Sequence, residues 1–212
     1  MLVKGSSGFD HKSETQNKIL ETALVLFNQK GFTSGTLREI AKRVGIRLSS
    51  VQYYYPTKDL LLEDIFSCFT KGYKLYFESL MQANSKAETI EDLMDNMFNK
   101  ELIEMQNPMA CLGMSLAIKE QHTYDSAYDC VSNLFYQYSI ECLKSDFDRL
   151  IKNSVIPSCN TKAIARLFMF CIIASNDIRV HEFLGNPIPL DYLEIYSDLK
   201  EQIALLLLQE KE

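Results

Sequence analysis

Apolar residues recur every three or four positions along most of the chain, which is the spacing of one face of an α-helix. The first such face ends at Gly31, a residue type that commonly follows the last turn of a helix. Its apolar members are Ile19, Leu20, Ala23, Leu24 and Phe27. The strict alternation of apolar and polar residues that marks a β-strand is nearly absent, so the pattern predicts an all-α fold.

Two short helices are predicted next, separated by a turn at Gly45. The first is expected to begin with a capping box, in which the Thr36 hydroxyl accepts a hydrogen bond from the Glu39 amide and the Glu39 side chain bonds back. The second is expected to end before Pro56, because the proline ring disfavours a helical conformation of the preceding residue. Thr57 then caps a long helix.

Further periodic stretches predict five more helices, separated by turn signals. They cover about residues 88–106, 109–121, 124–152, 161–184 and 190–210. No internal repeat or flexible linker interrupts the chain, so the long helix is expected to join two parts directly. We predict a helix-turn-helix head over residues 12–58 and an all-helical body over residues 59–212.

The charge of the chain is divided unevenly between these two parts. The 212 residues carry 22 Lys or Arg and 28 Asp or Glu, a formal net charge of −6. Residues 1–60 nonetheless hold nine cations against five anions, which leaves the remainder with a balance of −10. Because phosphates attract cations, a nucleic-acid partner is compatible with the N-terminal part and not with the acidic body.

The sequence contains few signs of an enzyme, a metal site or a membrane segment. Its six cysteines include no C-x-x-C pair and no Cys/His ligand spacing, and its three histidines are scattered, so we expect no metal and no cofactor. It has no nucleophile motif and no phosphate-binding loop. The N-terminus lacks the apolar stretch of a secretory signal, and the longest apolar run, from Leu167 to Ala174, is too short for a membrane helix. We therefore expect a cytoplasmic protein that is not an enzyme and does not bind a membrane.

Two short helices joined by a glycine turn and packed on a longer one suit entry into the major groove of DNA. The residues in this region are more specific than the pattern. The stretch from Thr36 to Ile46 reads TLREIAKRVGI, and the stretch from Val51 to Leu61 reads VQYYYPTKDLL. These stretches closely resemble the TetR (tetracycline-repressor) family of transcriptional regulators, over about residues 15–65.

The resemblance implies a DNA-binding regulator whose second motif helix reads the DNA. It assigns to DNA contact Thr36, Arg38, Ser49, Ser50, Gln52, Tyr53, Tyr54 and Lys58. Independent chemistry agrees, since a Gln side chain can bond an adenine edge and cationic side chains neutralise phosphates. Arg47 stands where the family usually has a small helix N-cap, and it cannot accept the amide bonds of a cap. Either Ser49 caps the helix instead or Arg47 exchanges the cap for a phosphate contact, so Arg47 joins the candidate DNA contacts.

The last two predicted helices carry apolar stripes that call for a partner helix. In the family that the chain resembles, these helices pair with their copies in a four-helix dimer interface. We therefore predict a homodimer bound to a pseudo-palindromic, double-stranded operator. The candidate interface residues are Phe168, Cys171, Ile172, Ile195, Leu199, Ile203 and Leu206.

The middle of the body is rich in Met and aromatic residues, a composition that suits a pocket for a small apolar or aromatic effector. The candidate lining residues are Phe66, Phe69, Tyr73, Met94, Met97, Phe98, Met114, Tyr128 and Phe135. Few cations lie in this stretch, which favours a neutral effector. By hypothesis the effector changes the spacing of the two heads and so releases the operator, and the helix that begins after Thr57 transmits the change.

Three alternatives to this function are weaker. A thiol-based redox regulator would use Cys111, which lies in a Met-rich stretch that also contains a glycine. A helical dimeric enzyme lacks a recognisable catalytic motif. An architectural DNA-binding protein would need a broadly basic surface, which the acidic body does not offer.

Overall fold

The computed structural model describes residues 12–98, 108–189 and 192–208, which form nine helices and no strand, so the predicted all-α fold is confirmed. The first six helices are α1 (Glu14–Lys30), α2 (Leu37–Val44), α3 (Leu48–Tyr54), α4 (Lys58–Asn84), α5 (Ile90–Met97) and α6 (Pro108–Glu120). The seventh, α7, is one continuous helix made of Asp125–Asp129, Cys130–Tyr138 and Ser139–Lys152. The eighth helix, α8, covers Thr161–Phe183. The last is α9 (Tyr192–Leu208). The predicted helix over 88–106 is described only as α5, and its remainder lies outside the described residues.

Local signals explain where the head helices begin and end. The hydroxyl of Thr36 accepts a hydrogen bond from the Glu39 amide at 3.1 Å, and α2 ends at Gly45, whose φ of 79° is a left-handed conformation that glycine adopts at low cost. The predicted return bond from the Glu39 side chain is wrong, because its carboxylate binds two cations instead. Thr57 caps α4 as predicted, since its hydroxyl accepts from the Leu60 amide at 3.2 Å.

The buried apolar side chains form two cores. The first core joins the head helices to the start of α4, to α6 and to the first part of α7, and it includes Phe27, Val51 and Leu112. The second core joins the end of α4, α5, the end of α7, α8 and α9, and it includes Phe147. Side chains from both sides of the predicted boundary between residues 58 and 59 pack in the first core. The division of the chain into two domains at that point therefore stays a prediction.

The middle of α7, Cys130–Tyr138, is a π-helix, which periodicity in the sequence does not reveal. At its end the Ser139 amide donates to the carbonyl oxygen of Leu134, five residues earlier, as a π-helix requires. The segment buries Phe135 completely and leaves the adjacent Tyr136 43% exposed. Phe135 therefore packs into the first core, whereas the next ring, Tyr136, lies at the surface of α7.

No helix within the described ranges is long and apolar enough to cross a membrane.

Candidate DNA-binding surface

The second motif helix, α3, is fixed to the rest of the head by its buried side. Val51 is fully buried in the first core, and Tyr55, which follows α3, is 4% exposed. The Tyr55 hydroxyl donates to Asp64 of α4 at 2.7 Å, and burial together with this bond raises the pKa of Tyr55. Asp64 also accepts a hydrogen bond from the Lys12 ammonium at 2.7 Å. This cluster sets the orientation of α3 relative to α4.

The opposite side of α3 is exposed to solvent. Ser49, Gln52 and Tyr53 are exposed, and the Tyr53 side chain reaches 82% exposure, which is unusual for a large aromatic residue. Ser50 and Tyr54 are half-buried, and the rings of Tyr53 and Tyr54 pack edge to face at 5.2 Å between centroids. The candidate reading residues therefore lie together on one side of a short helix, in the arrangement that groove binding needs.

Three exposed cations lie beside α3 without an ion pair among the described residues: Arg38, Lys42 and Arg47. Sequence reasoning missed Lys42, although it lies four positions after Arg38 and so on the same face of α2. By contrast, Lys30 and Arg43 bind the Glu39 carboxylate at 2.8 and 3.2 Å. The hydrogen bond from Lys30 is the main cause that lowers the pKa of Glu39, so this carboxylate stays charged at neutral pH.

The position of Arg47 resolves one of the alternatives raised by the sequence. Arg47 occupies the N-cap of α3, and its side chain makes no capping hydrogen bond. Ser49 lies inside α3 and is exposed, so it does not occupy the cap position. Thr36, in turn, uses its hydroxyl to cap α2. The exposed guanidinium of Arg47 is therefore the side chain in this turn that is available to a phosphate.

Lys58, at the start of α4, contradicts the predicted phosphate contact. Its ammonium donates to the carbonyl oxygens of Phe32, Thr33 and Gly35 at 2.7, 3.1 and 3.0 Å and lies 4.3 Å from the centroid of the Phe32 ring. A lysine ammonium has three N–H donors, and these three bonds use all of them. Lys58 therefore holds the turn between α1 and α2 against α4 and has no donor left for DNA.

The candidate effector residues are divided between the two cores. The first core contains Phe66, Phe69, Met114 and Phe135, and the second contains Met94, Met97 and Phe98. Tyr73 packs against both cores. The prediction for Tyr128 is wrong: it is 55% exposed, because it lies on the outer side of α7 next to the buried Ala127.

Tyr73 is the polar centre of an aromatic cluster. Its ring lies 5.7, 5.3 and 5.1 Å from the rings of Phe69, Phe135 and Phe77. The Ser139 hydroxyl lies 3.3 Å from the Tyr73 hydroxyl and 2.8 Å from the Leu134 carbonyl oxygen. Burial raises the pKa of Tyr73, so its hydroxyl stays protonated and can donate a hydrogen bond.

A separate open groove of about 270 Å³ lies between α5 and α9. Its floor is apolar and its rim carries Ser197, Lys200 and Glu201. Of the nine candidate effector residues, Met94 alone lines it, which separates this groove from the aromatic cluster at Tyr73.

Two of the candidate dimer residues are wrong because they are buried inside the protomer. Phe168 is 2% exposed, with its ring 5.4 Å from that of Phe98, and Ile203 is fully buried in the second core. The exposed side of α8 instead carries Leu167 and Phe170, at 42 and 55% exposure. The other candidates are partly accessible: Cys171, Ile172, Ile195 and Leu199 are half-buried, and Leu206 is 41% exposed.

Cys111 does not have the surroundings of a reactive thiol. It is 3% exposed, and burial raises the pKa of its thiol, while Arg179 acts in the opposite direction. A thiol that is buried and protonated reacts slowly with oxidants. Within the described ranges, no group of His, Cys, Asp and Glu side chains is arranged to hold a metal ion.

The part of the chain that carries this surface is similar to known bacterial regulators. Residues 19–65 match the family model described as "Bacterial regulatory proteins, tetR family". The chain is 38% identical over 88 residues to the Bacillus subtilis protein named "Probable HTH-type transcriptional regulator YttP", and the match covers 42% of each chain. It is 36% identical over 53 residues to the biofilm operon icaADBC HTH-type negative transcriptional regulator IcaR of Staphylococcus aureus, 25% of this chain and 28% of IcaR. The matches thus span less than half of these curated relatives.

The whole-chain fold agrees with that of a solved regulator. The structure of the ketosteroid transcriptional regulator KstR2 of Mycobacterium tuberculosis superposes with a TM-score of 0.69 and 14% identity, covering 97% of this chain and 100% of that one. The family-model match falls on residues 19–65, which include the helix-turn-helix motif, and the fold agreement extends over the body. Residues 19–65 therefore match the tetR family of bacterial regulatory proteins, within a chain whose overall fold resembles that of KstR2.

Proposed function

We propose that the protein is a transcriptional repressor, which binds a pseudo-palindromic operator as a homodimer and is released by a small, neutral apolar or aromatic effector. The observation that carries this proposal is the exposed side of α3, flanked by unpaired cations, within the stretch that matches the family model. Repression rather than activation is supported by the similarity to IcaR, which is named a negative regulator. The match of residues 19–65 to a family of regulatory proteins favours this function over that of a helical enzyme.

The proposed DNA contacts follow from the chemistry of each exposed side chain. Arg38, Lys42 and Arg47 neutralise phosphates and release counterions. Gln52 can form two hydrogen bonds with an adenine edge, one through the oxygen and one through the NH2 of its side-chain amide. The Tyr53 ring can contact a thymine methyl group or the DNA backbone. Two-fold symmetry would repeat these contacts in a second major groove, about 34–36 Å away.

The proposed dimer uses the exposed side of α8 and the neighbouring α9. Leu167 and Phe170 are large apolar side chains that the protomer leaves in water, and Leu205 and Leu206 are similarly exposed on α9. Contiguous apolar surface of this kind marks interaction sites on proteins. A second copy of the chain is the occupant that the two half-sites of an operator require.

The proposed effector site lies at the aromatic cluster around Tyr73. Phe69, Phe77 and Phe135 surround the Tyr73 ring, and the Tyr73 hydroxyl is a hydrogen-bond donor among these apolar side chains, so an effector that opens the cluster would meet aromatic rings and one donor. These groups favour an aromatic molecule with one acceptor and no charge. A screen of such compounds for release of bound operator tests this part, and a compound that bound this cluster tightly without changing operator affinity would contradict it.

Selection of bound fragments from a random DNA pool tests the DNA-binding function. We expect the recovered sequences to share two inverted half-sites about one helical turn apart. Recovered and random DNA should then be compared at two salt concentrations. Equal affinity for both pools would contradict the proposal and would favour an architectural DNA-binding protein.

Replacement of Arg47 should weaken binding to all sequences by a similar factor. In Arg47→Ala the slope of log Kobs against log salt should become shallower by about 2, because one phosphate contact is lost in each of the two heads. Lys86, an exposed cation in the turn after α4, provides the control, and Lys86→Ala should leave the slope unchanged. An unchanged slope in the Arg47 variant would exclude the phosphate contact.

Replacement of Gln52 should instead relax the preference for one base pair in each half-site. We expect Gln52→Ala to cost about 1–3 kcal/mol against the preferred base and little against the others. Competition among single-base operator variants measures this, and thermal unfolding should be unchanged because Gln52 is exposed. A uniform loss of affinity at every position would assign Gln52 to the backbone.

A further inference from the structure

A buried amide in α1 connects the head to the body. Asn28 is 7% exposed, and its Nδ2 donates to the carbonyl oxygens of Leu24 in α1 at 2.9 Å and of Leu112 in α6 at 3.0 Å. Its Oδ1 accepts from the Lys119 ammonium, also in α6, at 3.4 Å. Both polar ends of the Asn28 amide are thus bound to α6, at positions about two helical turns apart.

The residue next to Leu112 in α6, Gly113, lies directly against Phe69 of α4. A Cβ atom added to Gly113 would lie 2.5 Å from Cδ2 and 3.0 Å from Cγ of the Phe69 ring, so this spacing requires glycine. The Phe69 ring is held in turn by Tyr73 and Phe135, with centroids 5.7 and 5.8 Å away. The ring has little room to retreat, so a side chain at residue 113 should displace α6.

We propose that Asn28 is a positioning residue, which transmits a displacement of α6 to the DNA-binding head. When α6 moves away from Phe69, the Leu112 carbonyl moves with it, and α1 follows because a broken bond would leave a buried polar group without a partner. Since α1 packs against α2, the motif helix pair moves as well. This connection runs beside the route through α4, and it rests on the proposed function because Phe69 belongs to the proposed effector site.

A double-mutant cycle tests the connection without an effector. Gly113→Ala, Asn28→Ala and the double variant are compared with the unaltered protein in two measurements: affinity for selected operator DNA, and hydrogen exchange of the amides over residues 37–54. We expect Gly113→Ala to weaken operator binding about five- to tenfold when Asn28 is present and less than twofold in the Asn28→Ala background. Exchange in the head should change in parallel.

The cycle also separates this connection from effects on folding. Alanine favours helix formation over glycine, but it does so equally in both backgrounds. Phe69→Leu, which makes space beside Gly113, is a second perturbation of opposite sign and keeps the cycle measurable if Gly113→Ala does not fold. An effect of the same size with and without Asn28, in either measurement, would overturn the proposal. If the unaltered protein selects no DNA, the proposed function fails, and the exchange measurement still tests the connection.

Discussion

Phe170→Asp should convert the proposed dimer into a monomer and weaken operator binding on the order of 100-fold or more. The Phe170 ring is 55% exposed in the protomer and lies 6.3 Å from the Tyr136 ring, on the side of α8 that we assign to the second copy. A carboxylate at this position would be buried without a cationic partner in the proposed interface, which is strongly unfavourable. Sedimentation measures the oligomeric state, and titration of operator DNA measures the affinity.

Leu75 of α4 provides a matched control for this substitution. It is 53% exposed and lies outside α8 and α9, so Leu75→Asp should leave both the dimer and the operator affinity unchanged. A Phe170 variant that stayed dimeric would show that the copies meet elsewhere. Phe168→Ala should behave differently again, since Phe168 is buried in the second core and its loss should reduce stability.

Lys58→Met should destabilise the protein while leaving the salt dependence of DNA binding unchanged. The substitution removes the three hydrogen bonds from the Lys58 ammonium to the turn between α1 and α2. We expect a cost of about 2 kcal/mol in the free energy of unfolding. For a chain of this length that corresponds to a melting temperature lower by about 4–8 °C.

Lys42→Met is the matched control, because Lys42 is exposed and has no ion pair among the described residues. Its melting temperature should stay within about 1 °C of the unaltered protein, and its salt slope should become shallower by about 2, one contact for each head. The reverse pattern, with an unchanged melting temperature and a shallower slope for the Lys58 variant, would restore the phosphate contact that the family resemblance implies.

Helix positions and the head motif could be predicted from sequence because caps, glycines and periodicity act over a few residues. Thr36, Gly45 and Thr57 end or begin helices where expected, since each interaction is with its own segment. The return bond of Glu39 could not be predicted, because Lys30 competes for its carboxylate from another helix. Lys58 differs for the same reason: its partners lie more than twenty residues earlier in the chain.

The orientation of α8 shows a second limit of sequence reasoning. Both Phe168 and Phe170 are large and apolar, so the apolar periodicity is compatible with either side of α8 facing the core. Tertiary packing decides, and it buries Phe168 and exposes Phe170. The expected place of Tyr128 in the effector pocket is wrong for a similar reason, because the identity of an aromatic residue in a helix does not show which side of the helix it lies on. The π-helix in α7 depends on packing against neighbouring helices, which a single helical period cannot represent.

The first core has a consequence for engineering chimeric regulators. Because side chains of the head pack in one continuous core with α6 and the first part of α7, the head is not an interchangeable module. A chimera joined between residues 58 and 59 would expose the surface that Leu112 covers and would remove the hydrogen-bond partner that Leu112 provides for the Asn28 amide. A transplant that keeps its DNA specificity would have to carry the facing surface of α6 with it, and a new effector-binding body would have to be fitted beyond that helix.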